Sequence, residues 1–164
     1  MTSRTVADIA VRPAATADRD LLLAWANQPT TRAAGFHRRA ISAKEHQAWL
    51  DRVLAEPSRR RIWIGRDGTR DIGVVRVELT PDGCLEVSIA LDVTARGAGR
   101  SRSLLAAGLA AARSAFPGLR FRAWTRPDNE PSLALFRGAG FEVPARRPAS
   151  PAEAPSDAIV LERD

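Results

Sequence analysis

Residues 92–108, DVTARGAGRSRSLLAAG, set Gly97 and Gly99 among Arg96, Arg100 and Arg102, directly before an alanine-rich apolar run. Glycines let successive backbone N–H groups turn inward. A helix starting beyond them adds unpaired N-terminal donors and the positive end of its dipole. Such an arrangement suits a polyphosphate, and the neighbouring guanidiniums reinforce it with charge-assisted hydrogen bonds. Just upstream, CLEVSIAL (84–91) reads as a strand, with Glu86 its one carboxylate, on the face shared with Ser88 and Ala90. A carboxylate there can relay a proton through water, or simply stand in solvent. Lys44 is the only lysine, so Schiff-base chemistry would have to run through it. Cys84 is the only cysteine, which leaves no disulfide framework and no cysteine-based metal site; it reads as a small packed residue, and no metal is expected.

The 164 residues, 45% of them hydrophobic, fit a single domain over 1–164 with one substantial core. The net charge of +6 and a pI near 11.2 favour anionic partners such as phosphates and nucleotides. The arginines are scattered over many elements with no stacking aromatics between them, so nucleic acid is not expected as a partner. Met1 to Ala10 lacks the apolar run of a signal peptide, and nowhere do eighteen apolar residues follow one another. These features lead us to expect a soluble cytoplasmic protein with no membrane partner, as a monomer or homodimer.

The elements that must position these residues follow from the hydrophobic pattern. Ile9 to Arg12 predicts a short strand closed by Pro13. Thr16 can cap a helix carrying Leu21, Leu22, Leu23 and Trp25, which ends before Pro29. Ser42 and Glu45 have capping-box spacing at the head of a helix whose apolar face is Trp49, Leu50, Val53 and Leu54. RIWIG, DIGVVRVEL and CLEVSIAL, joined through RDGT and TPDG, predict an antiparallel meander. A helix then runs from the glycines to about Phe116, followed by a strand at LRFRAW. Next comes a helix in NEPSLALFRGAG capped near Asn129, and closing strands at FEV and AIVLER. The Pro-, Ala- and Ser-rich stretch within 145–156 predicts a mobile loop. The order is β-α-α-β-β-β-α-β-α-β-β, an α/β sandwich around a mixed sheet.

In this context residues 9–142 resemble the GNAT superfamily of acetyl-CoA-dependent N-acetyltransferases. Arg96-Gly97-Ala98-Gly99-Arg100-Ser101 is similar to the family's Arg/Gln-x-x-Gly-x-Gly/Ala loop after the fourth strand, with Ser101 in place of the usual Gly or Ala. Asn129 to Phe141, NEPSLALFRGAGF, is similar to its Asn-x-x-Ser-x-x-x-aromatic segment ending in Gly-Phe. The resemblance implies a mostly antiparallel mixed sheet splayed between strands 4 and 5 and flanked by helices. It implies acetyl-CoA as co-substrate, with its pyrophosphate on the amides of Gly97, Ala98, Gly99, Arg100, Ser101 and Arg102. It further implies that Ile89, Ala90 and Leu91 pair with the pantetheine as a strand would, and that Asn129 touches the pantetheine arm. Phe136 falls on the same wall.

LLLAWANQPTTRAAGF followed by ISAKEHQAWL has a narrower resemblance, to GNAT enzymes that acetylate an amino group on a nucleotide-linked deoxyamino sugar, of the pseudaminic-acid type. Ribosomal-protein N-terminal acetyltransferases share its first part. In both groups the region covers the acceptor pocket, which makes Asn27, Arg32, Phe36, His37, His46 and Trp49 acceptor candidates. Trp25 and Trp49, spaced with leucines, also read as core, and His46 beside Glu45 also reads as a surface residue. Arg38-Arg39 and Arg59-Arg60-Arg61 read as exposed faces.

Many relatives place a Glu on the fifth strand as base and a Tyr on the next helix as acid. Here those positions are Trp124 and Phe136, and the chain has no tyrosine. A positioned acid or base contributes about 10²–10⁴ in rate, and a thiol of pKa ~8.5 leaves tolerably without a proton donor. An acceptor amine of pKa ~8 is appreciably neutral near pH 7.5, whereas a lysine of pKa ~10.4 is not. The missing pair therefore disfavours lysine acetylation and leaves a sugar amine or a peptide N-terminus. Glu86 is the remaining candidate base, and Trp124 could offer a flat wall to a sugar ring or uracil. Three functions stay open: an amino-sugar-nucleotide N-acetyltransferase, a protein N-terminal acetyltransferase, and a non-catalytic acyl-CoA-binding module.

Overall fold

The alternating apolar residues of the central strands build one six-stranded sheet in the computed structural model, which describes residues 8–164; the first residues of the Met1–Ala10 stretch lie outside it. The strands are β1 (Ile9–Pro13), β2 (Arg60–Asp67), β3 (Arg70–Leu79), β4 (Cys84–Leu91), β5 (Arg120–Thr125) and β6 (Ile159–Arg163), in spatial order β1-β2-β3-β4-β5-β6. Only β4 and β5 run parallel; every other pair is antiparallel. The helices are α1 (Arg19–Ala26), α2 (Pro29–Ala34), α3 (Ala43–Ala55), α4 (Arg100–Ala115) and α5 (Glu130–Gly138). This is the expected splayed α/β sandwich: β4 and β5 pair only from Cys84↔Arg120 to Glu86↔Arg122, and then part.

Two apolar layers hold the sheet. On one face Leu104, Leu105 and Leu109 of α4 and Leu133 and Phe136 of α5 pack against Val75, Val77, Val87, Phe121 and Ala123. On the other, Leu22 and Trp25 of α1 and Leu50 and Val53 of α3 cover Ile62, Ile64 and Val74. The second layer stops short of the splay, so the rest of that face is left as an open wall. A bulge beside Gly65 lets Gly65 face Gly73 across β2 and β3. A Cβ on Gly65 would meet Leu104 Cδ1 at 2.2 Å, and one on Gly73 would meet Leu104 at 2.8 Å. The missing side chains let α4 press its first turns onto the sheet. Burying Leu104 there contributes about 1.5–3 kcal/mol and fixes where α4 begins.

Three local expectations are corrected. The chain turns at Thr16–Asp18 in a 3₁₀ step, and Asp18 rather than Thr16 takes the exposed amide, accepting from Ala15 N at 2.8 Å. The helix does stop before Pro29, but Pro29 itself opens a further helix, because its fixed φ and missing N–H suit a first-turn position. FEV is no strand: Glu142 makes only an isolated bridge to Glu162. The Ser42–Glu45 capping box forms as expected, with both reciprocal bonds present. Among the described residues no helix is long and apolar enough to cross a membrane.

Candidate active site

The glycine loop takes a conformation that few side chains tolerate. Gly97, Ala98 and Gly99 have φ values of 89°, 53° and 73°, three left-handed residues in succession. A Cβ added at Gly97 or Gly99 would meet no protein atom within 4 Å, so the loop opens outward rather than packing inward. Sixteen-residue α4 starts at Arg100 and aims its first-turn amides at this opening. Beside it, Ile89, Ala90 and Leu91 are paired to β3 on one edge only, because β5 has diverged by Glu86. A row of backbone donors and acceptors is therefore exposed at the edge of the splay. Arg100 is turned aside: its Nε donates to Asp67 Oδ2 at 2.9 Å.

A continuous cleft of about 1130 Å³ runs from this loop across the open wall of the sheet. Arg96, Gly97, Ser101, Ile89, Ala90, Leu91, Asn129 and Phe136 line it at one end, and Arg32, Phe36, His37 and Trp49 at the other. Asn129 caps α5, accepting from Ser132 N at 3.2 Å, while Phe136 packs edge-on against Phe141. Arg76, from the middle of β3, also faces the cleft. Its Nε donates to Ser88 Oγ at 3.0 Å, and its guanidinium lies 5.5 Å from the Trp49 ring centre. Desolvation within the cleft and the nearby charge of Arg32 both lower the Arg76 pKa.

Glu86 and Trp124 meet where β4 and β5 part. Among the described residues the Glu86 carboxylate has no ion pair and no hydrogen bond of normal length. Burial pushes its pKa up, with Glu78 and Glu153 adding to the rise and Arg122 and the Trp124 N–H opposing it. Trp124 Nε1 is buried beside the Glu86 carboxylate but makes no hydrogen bond of good geometry. One face of its ring is covered by the Arg147 guanidinium at 5.2 Å. Arg147 also donates to Ala158 O at 2.8 Å, and Pro151 and Glu153 line the cleft, so the Pro-rich stretch lies against the site.

Residues 8–142 match the acetyltransferase (GNAT) domain family. The chain belongs to the GNAT acetyltransferase family. It is thus an acyltransferase. Solved structures share its fold. The aminoglycoside acetyltransferase AAC(6')-Ib in complex with coenzyme A is 19% identical with a TM-score of 0.76, over 94% of both chains. Spermidine N-acetyltransferase from Vibrio cholerae, with CoA and spermine, is 16% identical with a TM-score of 0.77, over 94% of this chain and 93% of that one. Ribosomal-protein-alanine N-acetyltransferase from Brucella melitensis is 21% identical with a TM-score of 0.74, over 93% of this chain and 98% of that one. No curated protein matches significantly by sequence.

In this GNAT acetyltransferase two acceptor candidates fall away from the cleft. Asn27 is spent on the backbone: Nδ2 donates to Ile41 O and Oδ1 accepts from Ile41 N, each at 2.8 Å. It anchors the segment that carries Phe36 and His37 instead of facing a ligand. His46 is not a surface residue but only 3% exposed, with its ring 5.2 Å from Trp49, and burial and Arg76 lower its pKa. It backs Trp49, which serves both core and cleft. Trp25 is core, and Cys84 is buried as expected. Arg39 and Arg60 are held in ion pairs with Glu45 and with Glu56 and Glu78. Arg76, Ser88 and Glu153 are among the cleft residues that sequence reasoning missed. The one signal for Arg76 was an arginine inside the apolar run VVRVEL, which alternation alone reads as a solvent-facing position.

Proposed function

We propose that this protein transfers the acetyl group of acetyl-CoA to a primary amine on a nucleotide-linked amino sugar. The left-handed Gly97–Gly99 turn opening before α4 fits a diphosphate, and the free edge of Ile89–Leu91 fits an extended amide-bearing arm. Bound acetyl-CoA supplies an activated thioester. The chain's own residues supply the rest.

The observation that carries the reading is Glu86, an unpaired carboxylate of raised pKa in the cleft at the point where the strands part. An acceptor that binds as its ammonium gives one proton to Glu86, directly or through water, before attack, and loses a second to water as the C–N bond forms and the C–S bond breaks. A raised pKa strengthens Glu86 as a base. Backbone N–H groups on the free edge of β4 face the position where negative charge develops on the carbonyl oxygen. The sulfur departs as a thiolate, for which no tyrosine is needed. Arg32 and Arg76, without carboxylate partners among the described residues, make the acceptor end cationic, which suits an anionic acceptor and repels polyamines.

A thiol-release assay over nucleotide-linked amino sugars, aminoglycosides, spermidine and peptides with free N-termini tests the reading. Nucleotide-linked amino sugars should turn over best, with a KM that rises with salt as attraction is screened within about 8–10 Å. Turnover of aminoglycosides or peptide N-termini, with none of any nucleotide-linked amino sugar, would refute it.

A further inference from the structure

We propose that Arg76 and Arg32, with Arg76 set over the face of Trp49, form a phosphate-binding subsite in the acceptor half of the cleft, placed to hold a phosphate carried on the same molecule as the reacting amine. The inference rests on the acetyltransferase reading above and goes beyond it by locating the acceptor's charge relative to its amine.

The arginines of the cleft fall into two groups. Arg39 and Arg60 are neutralised by carboxylates at 2.8–2.9 Å, whereas Arg32 and Arg76, like Arg38, Arg61 and Arg96, have no ion-pair partner among the described residues; Arg32 and Arg76 are the two held by the packing of the acceptor wall. Arg32 Nε is buried with no hydrogen-bond partner, and its Nη1 reaches only Arg39 O at 3.3 Å. Desolvation lowers the pKa of both arginines, and the charge of Arg32 lowers that of Arg76 further. Two like charges on one wall, one with a buried unused donor, favour an incoming anion.

The arrangement is also pre-organised. Trp49 supports the Arg76 guanidinium at 5.5 Å, and buried His46 holds Trp49 from behind. Ser88 takes the Arg76 Nε, which leaves both terminal amino groups for a ligand in the fork that suits phosphate. Strand register sets the spacing. Arg76 pairs with Ser88 and Glu78 pairs with Glu86, so Arg76 and the proposed base stand on adjacent strands two residues out of register, about 8 Å apart along the diagonal. That is roughly the reach from an amine on one side of a hexose ring to the phosphorus of a phosphate on the other. An amine at Glu86 therefore places at Arg76 whatever the far side of the ring carries, and a glycosyl phosphate meets the requirement. An aminoglycoside would bring a second cation there.

Calorimetry with inorganic pyrophosphate, on protein whose glycine loop is first saturated with coenzyme A, tests the subsite without needing any acceptor to turn over. Wild type should still bind pyrophosphate, and Arg76→Gln and Arg32→Gln should each weaken it about tenfold or more. Arg52→Gln, on the exposed last turn of α3, removes the same charge outside the cleft and should change little. Unaltered coenzyme A affinity in the variants establishes that they are folded. No pyrophosphate binding by coenzyme A-saturated wild type, unchanged affinity in Arg76→Gln, or equal weakening in Arg52→Gln overturns the subsite. Failure of amino-sugar nucleotides to turn over would instead strike the acceptor assignment and leave this binding result standing.

Discussion

Replacing Glu86 by Gln should abolish proton uptake at the splay while keeping the fold, and the loss should depend on pH. Without a base, the reaction draws on amine that is already neutral in solution. For an amine of pKa ~8 that is about 1% at pH 6 and about 90% at pH 9. The variant should therefore fall furthest behind wild type near pH 6, by at least tenfold in kcat/KM, or about 1.4 kcal/mol, and up to about 100-fold, which reaches the lower end of the 10²–10⁴ range of a positioned base. It should converge on wild type by pH 9. Stability should move the other way. The Glu86 pKa is raised in the folded protein, chiefly by burial, so its contribution to stability is present below the ordinary carboxylate pKa. That contribution is lost as pH rises through the folded value. At neutral pH Glu86→Gln should then unfold at the same temperature as wild type or a higher one. Steady-state kinetics from pH 6 to 9 with a melting curve at pH 7 make the check. Wild-type kinetics across that range would reduce Glu86 to a structural strand residue.

Gly99→Val should abolish coenzyme A binding in calorimetry, because a β-branched residue cannot hold φ 73° and its side chain would project into the open side of the loop; unchanged affinity would misplace the phosphate site. Arg122→Met should lower stability by about 3 kcal/mol in urea unfolding, since buried Arg122 holds Glu162 and Asp82 at 2.7 Å each and largely buried Glu162 would keep only the longer 3.5 Å pair with exposed Arg120. The same guanidinium holds Asp82 down to about pKa 2, so stability from this pair is present above pH ~4 and lost as pH falls toward 2; Asp82→Asn should flatten acid unfolding in that window. Asn27→Ala should raise the KM for the amine acceptor while leaving coenzyme A affinity unchanged, as the two 2.8 Å bonds to Ile41 that anchor the Phe36–His37 segment disappear; equal weakening of both would mean a global rather than local loss.

Much of the site could be read along the chain because its parts are local. A turn of left-handed residues before a helix needs glycines at fixed spacing, and Gly97 and Gly99 announce it. The Ser42–Glu45 box and the strand at 84–91 are likewise written in residues close together in sequence. FEV failed as a strand for the opposite reason. Its apolar ends fit a strand pattern, but Phe141 is drawn into the layer under α5, leaving Glu142 with a single bridge.

The sequence by itself determined most of the order of elements, short of α2 and with a strand too many at FEV, the left-handed glycine turn and the absence of a tyrosine, since each is a property of neighbouring residues or of composition. Only the tertiary structure decided which polar side chains share the cleft. His46 and Asn27 sit in the same motif as Trp49, yet one is buried behind it and the other is consumed by Ile41. Arg76 lies 44 residues beyond Arg32 and resembles any outward strand position until β3 pairs with β4 and brings it beside Ser88, over Trp49 and in line with Glu86. Such meetings depend on register and on where the apolar layer ends. Both are set by long-range packing, which no local pattern encodes.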